Sequence, residues 1–103
     1  MTSKLLIKTV EDTASSTPLV AGKHFLSMNG FKTFSIVNGT ITFFFDQENT
    51  QVELVSTVVG DPNKASEIIY EALSNDFIAD LDLSPAGYEI NSITLEEGET
   101  IIK

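Results

Sequence analysis

The sequence predicts a mainly β domain with one α-helix, a small and strongly bent antiparallel sheet or partly open barrel with element order β–β–β–β–β–α–β. Three observations predict it. Two Asn-Gly pairs, Asn29-Gly30 and Asn38-Gly39, separate runs of alternating apolar residues, which is the pattern of tight hairpin turns whose central residues need positive φ. After Asp61-Pro62 the hydrophobic period changes from that of a strand to that of a helix. With 103 residues and no cysteine, the chain forms one domain whose single core must come from its 42% apolar residues. Short strands in so small a domain are most economically arranged as a bent sheet with the helix at an open end.

The first strand is read over Lys4-Leu5-Leu6-Ile7-Lys8-Thr9-Val10, rich in branched aliphatics and bounded by Glu11-Asp12. Thr13 to Pro18 is small and polar and reads as a mobile connector. Lys23 to Met28, Phe31 to Val37, Thr40 to Phe45 and Gln51 to Val59 follow as consecutive antiparallel strands, the third turn being Gln47-Glu48-Asn49-Thr50. A two-residue turn at Asn38-Gly39 fixes its own register: Val37 opposes Thr40, Ile36 opposes Ile41, Ser35 opposes Thr42 and Phe34 opposes Phe43. Phe34, Ile36, Ile41, Phe43 and Phe45 then share the core face, and Thr33, Ser35, Thr40 and Thr42 the other. In the fourth of these strands Val52, Leu54 and Val58 lie on one side and Val55, Thr57 and Val59 on the other, so a central or covered position is expected.

Asp61-Pro62 reads as a helix start, with a capping carboxylate and a proline where a missing N–H costs nothing. Ala65, Ile68, Ile69, Ala72 and Leu73 form an apolar stripe, with Lys64, Glu67 and Glu71 outside it. Asn75 and Asp76 weaken the helix, although Phe77 and Leu81 extend its apolar side. Pro85-Ala86-Gly87 marks a turn, Tyr88 to Glu96 the last strand, and Glu96 to Glu99 a frayed acidic tail.

Charge narrows the function classes. The net charge is −9 and every basic residue is a lysine, which argues against nucleic acid, because arginine makes the commonest bidentate contacts to phosphate and guanine. Residues 1–45 carry +2 and residues 46–103 carry −11, an asymmetry that suits head-to-tail contact between copies as well as a plain solvated acidic face. No apolar run is long enough for a membrane span and Leu5-Leu6-Ile7 is too short for a signal-peptide core, so no membrane association and a cytoplasmic location are expected.

No residue pattern supports a catalytic, cofactor or metal site. His24 is the single histidine, and without a second histidine, cysteine or serine partner it reads as an ordinary surface residue. Asp80-Leu81-Asp82-Leu83-Ser84 begins like a calcium loop, but Pro85 stands where that loop needs glycine and Asn91 where it needs a bidentate glutamate. Asp46 and Glu48 flank a turn, where carboxylates face water. Phe43 and Phe45 read as core, whereas Phe44 shares the polar face and is either covered by the helix or part of an interface. No small-molecule substrate is identifiable. The expected interface residues are Phe44 with Tyr88, Ile93 and Leu95 of the last strand, which is poor in the lysines that discourage edge pairing.

The spacing of Phe31-Lys32-Thr33-Phe34-Ser35-Ile36-Val37, Thr40 to Phe45, Val52 to Val59 and the helix stripe resembles small phage-type and marine-environmental proteins whose domain is similar to the Sm/LSm barrel. The resemblance implies strongly bent sheets joined edge to edge, in rings that in many members bind RNA. The departures are specific. The helix stands before the last strand instead of first, Met28-Asn29 lacks a preceding aspartate, and Val59-Gly60-Asp61 offers an acid where a base is usual. The sequence therefore points to a non-enzymatic structural or assembly module forming a homo-oligomer through strand edges, in the resemblance phage-encoded and located in the host cytoplasm or a virion. An Sm-like RNA-binding protein is the alternative.

Overall fold

Both Asn-Gly pairs are turns, but each has one residue of positive φ, Asn38 at 53° and Gly30 at 81°, where the expected hairpin geometry has two. Asn38-Gly39 closes a hairpin, whereas the strands on either side of Asn29-Gly30 belong to different sheets, so the expected run of consecutive antiparallel strands is broken there. The structure, a computed structural model, describes residues 3–10, 22–46 and 50–96, with the side chains of residues 95 and 96 outside that set. The connector at 13–18, most of the turn at 47–50 and the tail beyond 96 lie outside the described residues.

The described residues are mainly β with one α-helix: β1 (Lys4–Thr9), β2 (Gly22–Ser27), β3 (Phe31–Val37), β4 (Thr40–Phe45), β5 (Gln51–Ser56), α1 (Pro62–Leu73), β6 (Ile78–Leu81) and β7 (Ile90–Glu96), with a 3₁₀ turn at Ser84–Ala86. The strands form two sheets, of order β2-β1-β6 and β3-β4-β5-β7, and the sheets do not close into a barrel. All strand pairs are antiparallel except β1 with β6. The β3–β4 register is the one the two-residue turn dictates, Val37 against Thr40 through Phe34 against Phe43.

Two departures from strict alternation build the core. A bulge between Phe31 and Thr33 inserts Lys32, so Phe31 and Phe34 both reach Phe43, with edge-to-face ring centroids 5.9 and 6.2 Å apart. A second irregularity between Val55 and Ser56 pairs Ser56 with Ile90 and Val55 with Ser92, so Ile90 and Ile93 are both buried and do not lie on opposite faces as period two requires. Leu5, Ile7, Ala79 and Leu81 of the three-stranded sheet join Ile41, Phe43, Val52 and Leu54 of the four-stranded one, and Ala65, Ile69 and Ala72 of α1, in one core.

The helix begins as expected, Asp61 accepting from the N–H groups of Asn63 (3.0 Å) and Lys64 (3.4 Å). It stops at Leu73, because Ser74 Oγ and Asn75 Nδ2 donate to the carbonyl of Glu71 at 2.7 and 3.2 Å and occupy an acceptor at its end. Phe77 is consequently exposed and Leu81 belongs to the additional strand β6, so neither extends the helix stripe. The fifth strand ends at Ser56, whose hydroxyl accepts from the N–H groups of Val58 (3.1 Å) and Glu89 (2.8 Å), leaving Val58 and Val59 exposed. Gly60 follows, and an added Cβ there would sit on the Ala86 carbonyl oxygen and the Tyr88 ring.

Candidate interaction surface

Each sheet turns one face to the core and one outward. On the four-stranded sheet the outward face mixes polar and apolar side chains, with Thr33, Phe44 and Gln51 in one row, Ser35, Thr42, Glu53 and Thr94 in the next, and Val37, Thr40, Val55 and Ser92 in the third, Thr42 being buried among its neighbours. Phe44 lies on this face, half-buried, and not under the helix, whose aromatic contact is Tyr70 with Phe34 at 5.3 Å between centroids.

The other expected interface residues are placed differently. Tyr88 is 1% exposed and Ile93 is 7% exposed, so both are core side chains that present no surface to a neighbour. Tyr88 is buried because its ring closes over Gly60, where the helix start is tied to the 3₁₀ turn by the Asp61 N–H on the Ala86 carbonyl at 2.8 Å. Its hydroxyl is buried without a hydrogen-bond partner among the described residues. Burial, and secondarily the nearby Asp61 charge, push the phenol above its ordinary range. Leu95 opposes Val52 in the ladder, and its side chain lies outside the described set.

The outward face of the three-stranded sheet is chemically distinct. Ladder positions put Ser27, Lys4 and Ile78 in one row and Phe25, Leu6 and Asp80 in the next, with Lys23 beside Lys8 beyond them. Phe25 is 59% exposed and Ile78 57%. The Lys4 ammonium stands 5.2 Å from the centre of the Phe25 ring, a cation–π contact. Lys23 meets Asp80 at 3.0 Å and Lys8 meets Asp82 at 3.5 Å. These are exposed pairs that fix side-chain positions more than they stabilise the fold. Asp82 is pulled both ways: burial raises its pKa, but hydrogen bonds from Ser84 and the charge of Lys8 outweigh that and hold it below the usual carboxylate range. The acids that resemble the start of a calcium loop thus serve as partners of lysines and of the Ser84 N–H, and no group of three metal-ligating side chains occurs among the described residues. Asp46 is exposed at the end of β4, and Glu48 lies outside the described residues.

At the border of this face β2 forms one end of the three-stranded sheet. Sequence reasoning missed this strand as a candidate because its exposed phenylalanine alternates with residues of ordinary strand character. The signal was the pairing of Lys23, Phe25 and Ser27 on one parity, which marks an outward face. No family model matches the chain, no curated protein matches it, and no solved structure matches its fold. No helix among the described residues is long and apolar enough to cross a membrane.

Proposed function

We propose that this protein is a non-enzymatic assembly module that joins copies of itself through an open sheet edge. The observation that supports it is β2, an end strand whose Phe25 is 59% exposed. A strand edge offers unpaired backbone donors and acceptors, and proteins that remain monomeric cover it, bend it or charge it. Each other edge strand has a local feature that β2 lacks. Helix α1 packs against β6, β3 has its bulge at the exposed Lys32, and the Ile90 carbonyl at the start of β7 accepts from the Val10 N–H at 2.7 Å. On β2 the one charged residue is Lys23, near its beginning. The net charge of −9 sets a polyanionic partner aside.

Light scattering on the full chain at ~100 μM, a concentration well above the dissociation constant of a stable interface, tests the reading. A mass that is a multiple of the 11.2 kDa chain is expected, at both low and high salt. A monomer throughout would refute it.

A further inference from the structure

We infer that β2 pairs with β2 of a second copy, antiparallel about a two-fold axis at Phe25, making one continuous six-stranded sheet from two three-stranded ones. This rests on the assembly reading above and specifies its contact. The Met28 N–H donates to the Ser3 carbonyl at 2.8 Å, and the Lys4 N–H to the Phe77 carbonyl at 3.1 Å. Backbone groups alternate in direction along a strand, so Gly22, His24, Leu26 and Met28 turn theirs toward β1, and Lys23, Phe25 and Ser27 turn theirs to the outer edge. Among the described residues no strand lies beyond that edge.

These three residues define one self-complementary register. A two-fold at Phe25 sets Phe25 opposite its own copy and Lys23 opposite Ser27 of the second chain. Every one of the six outward N–H groups then meets an outward C=O, because in an antiparallel ladder opposing residues of this parity exchange both bonds. The side chains agree with the backbone. The two Phe25 rings meet on the outward face beside Leu6, where they bury exposed apolar surface, and each keeps its Lys4 contact. The two Lys23 ammonium groups fall at opposite ends of the pair, four ladder positions apart, or ~13 Å along the strand. Each remains beside its own Asp80. A symmetric contact therefore fits better than the head-to-tail one suggested by the charge asymmetry, since Lys8 and Lys23 already meet acids of their own chain.

The chain has no cysteine, so single introduced thiols report the register directly. Lys23→Cys and Ser27→Cys each leave like thiols too far apart to join. Mixed, they stand opposite each other at a Cα separation of about 5.5 Å, within disulfide range. Oxidation of the mixture at ~100 μM should give a disulfide-linked heterodimer, and neither variant alone should cross-link. Phe25→Lys, at an exposed position, should keep its circular dichroism and melting transition while becoming monomeric, and Phe25→Leu should stay dimeric. Cross-linking of either variant alone as readily as the mixture, or a folded Phe25→Lys protein that remains dimeric, would overturn this register and leave the assembly reading standing. A monomeric wild-type chain would remove both.

Discussion

Tyr88 shows how one residue's surroundings reverse the role its sequence position suggests. It stands at the start of an apparent edge strand, yet its ring fills the space that Gly60 leaves, and its hydroxyl is enclosed without a partner among the described residues. A buried hydroxyl that makes no bond costs free energy, so Tyr88→Phe should leave stability at neutral pH unchanged or raise it by up to about 1 kcal/mol, whereas Tyr88→Ala should cost about 3–5 kcal/mol. The pH dependence has a definite sign. Because the folded phenol titrates above its unfolded value, the folded chain retains the proton that the unfolded chain releases. Stability is complete below pH ~10 and falls as pH rises toward the folded pKa. Urea melts between neutral and strongly alkaline pH should show that loss in the wild type, and Tyr88→Phe should reduce it. An equal alkaline loss in both proteins would mean that Tyr88 is not its source.

Among the elements, the β3–β4 hairpin was legible in sequence from Phe34 to Phe43, because a two-residue Asn-Gly turn leaves one register there and that register decides which face each side chain takes. The start of α1 was equally legible, since Asp61-Pro62 is a local signal with a local consequence. What sequence could not show depends on distant partners. β6 is four residues long and owes its existence to pairing in parallel with β1, which begins 74 residues earlier. The bulge at Lys32 and the slip at Asn91 break the alternation from which faces are read, and both are settled by the ring of Phe31 and the side chain of Ile90 entering the core. The same geometry grades substitutions in the hairpin. Phe43→Ala, fully buried, should cost about 3–5 kcal/mol, and Phe34→Ala, half-buried between Phe43 and Tyr70, should cost less. Thr33→Ala, exposed on the outward face, should cost under about 1 kcal/mol. Chemical denaturation orders the three, and equal costs on the two faces would contradict the sheet orientation.

For the molecule as a whole, composition carried the fold class: enough apolar residues for one core, turns at short intervals and a single helical stripe give a mainly β chain with one helix. The interaction surface was less legible. The last strand looked open because it lacks lysines, but its apolar side chains Ile90 and Ile93 are core, and Val10 ties down its beginning. β2 looked ordinary because its one exposed phenylalanine is conspicuous only once Lys4, Leu6 and Ile78 surround it on an uncovered face. Two sheets that share a core without closing leave edges, and the assembly proposed here follows from the edge of β2, which among the described residues carries one lysine and no covering strand. Residue-resolved amide exchange tests that claim most directly, because it reads the edge and the association together. At ~100 μM the Phe25 N–H should be protected and should lose that protection on ~100-fold dilution, while the Leu26 N–H, directed at β1, keeps its own. A Phe25 amide that exchanges as an exposed group at both concentrations would contradict the account.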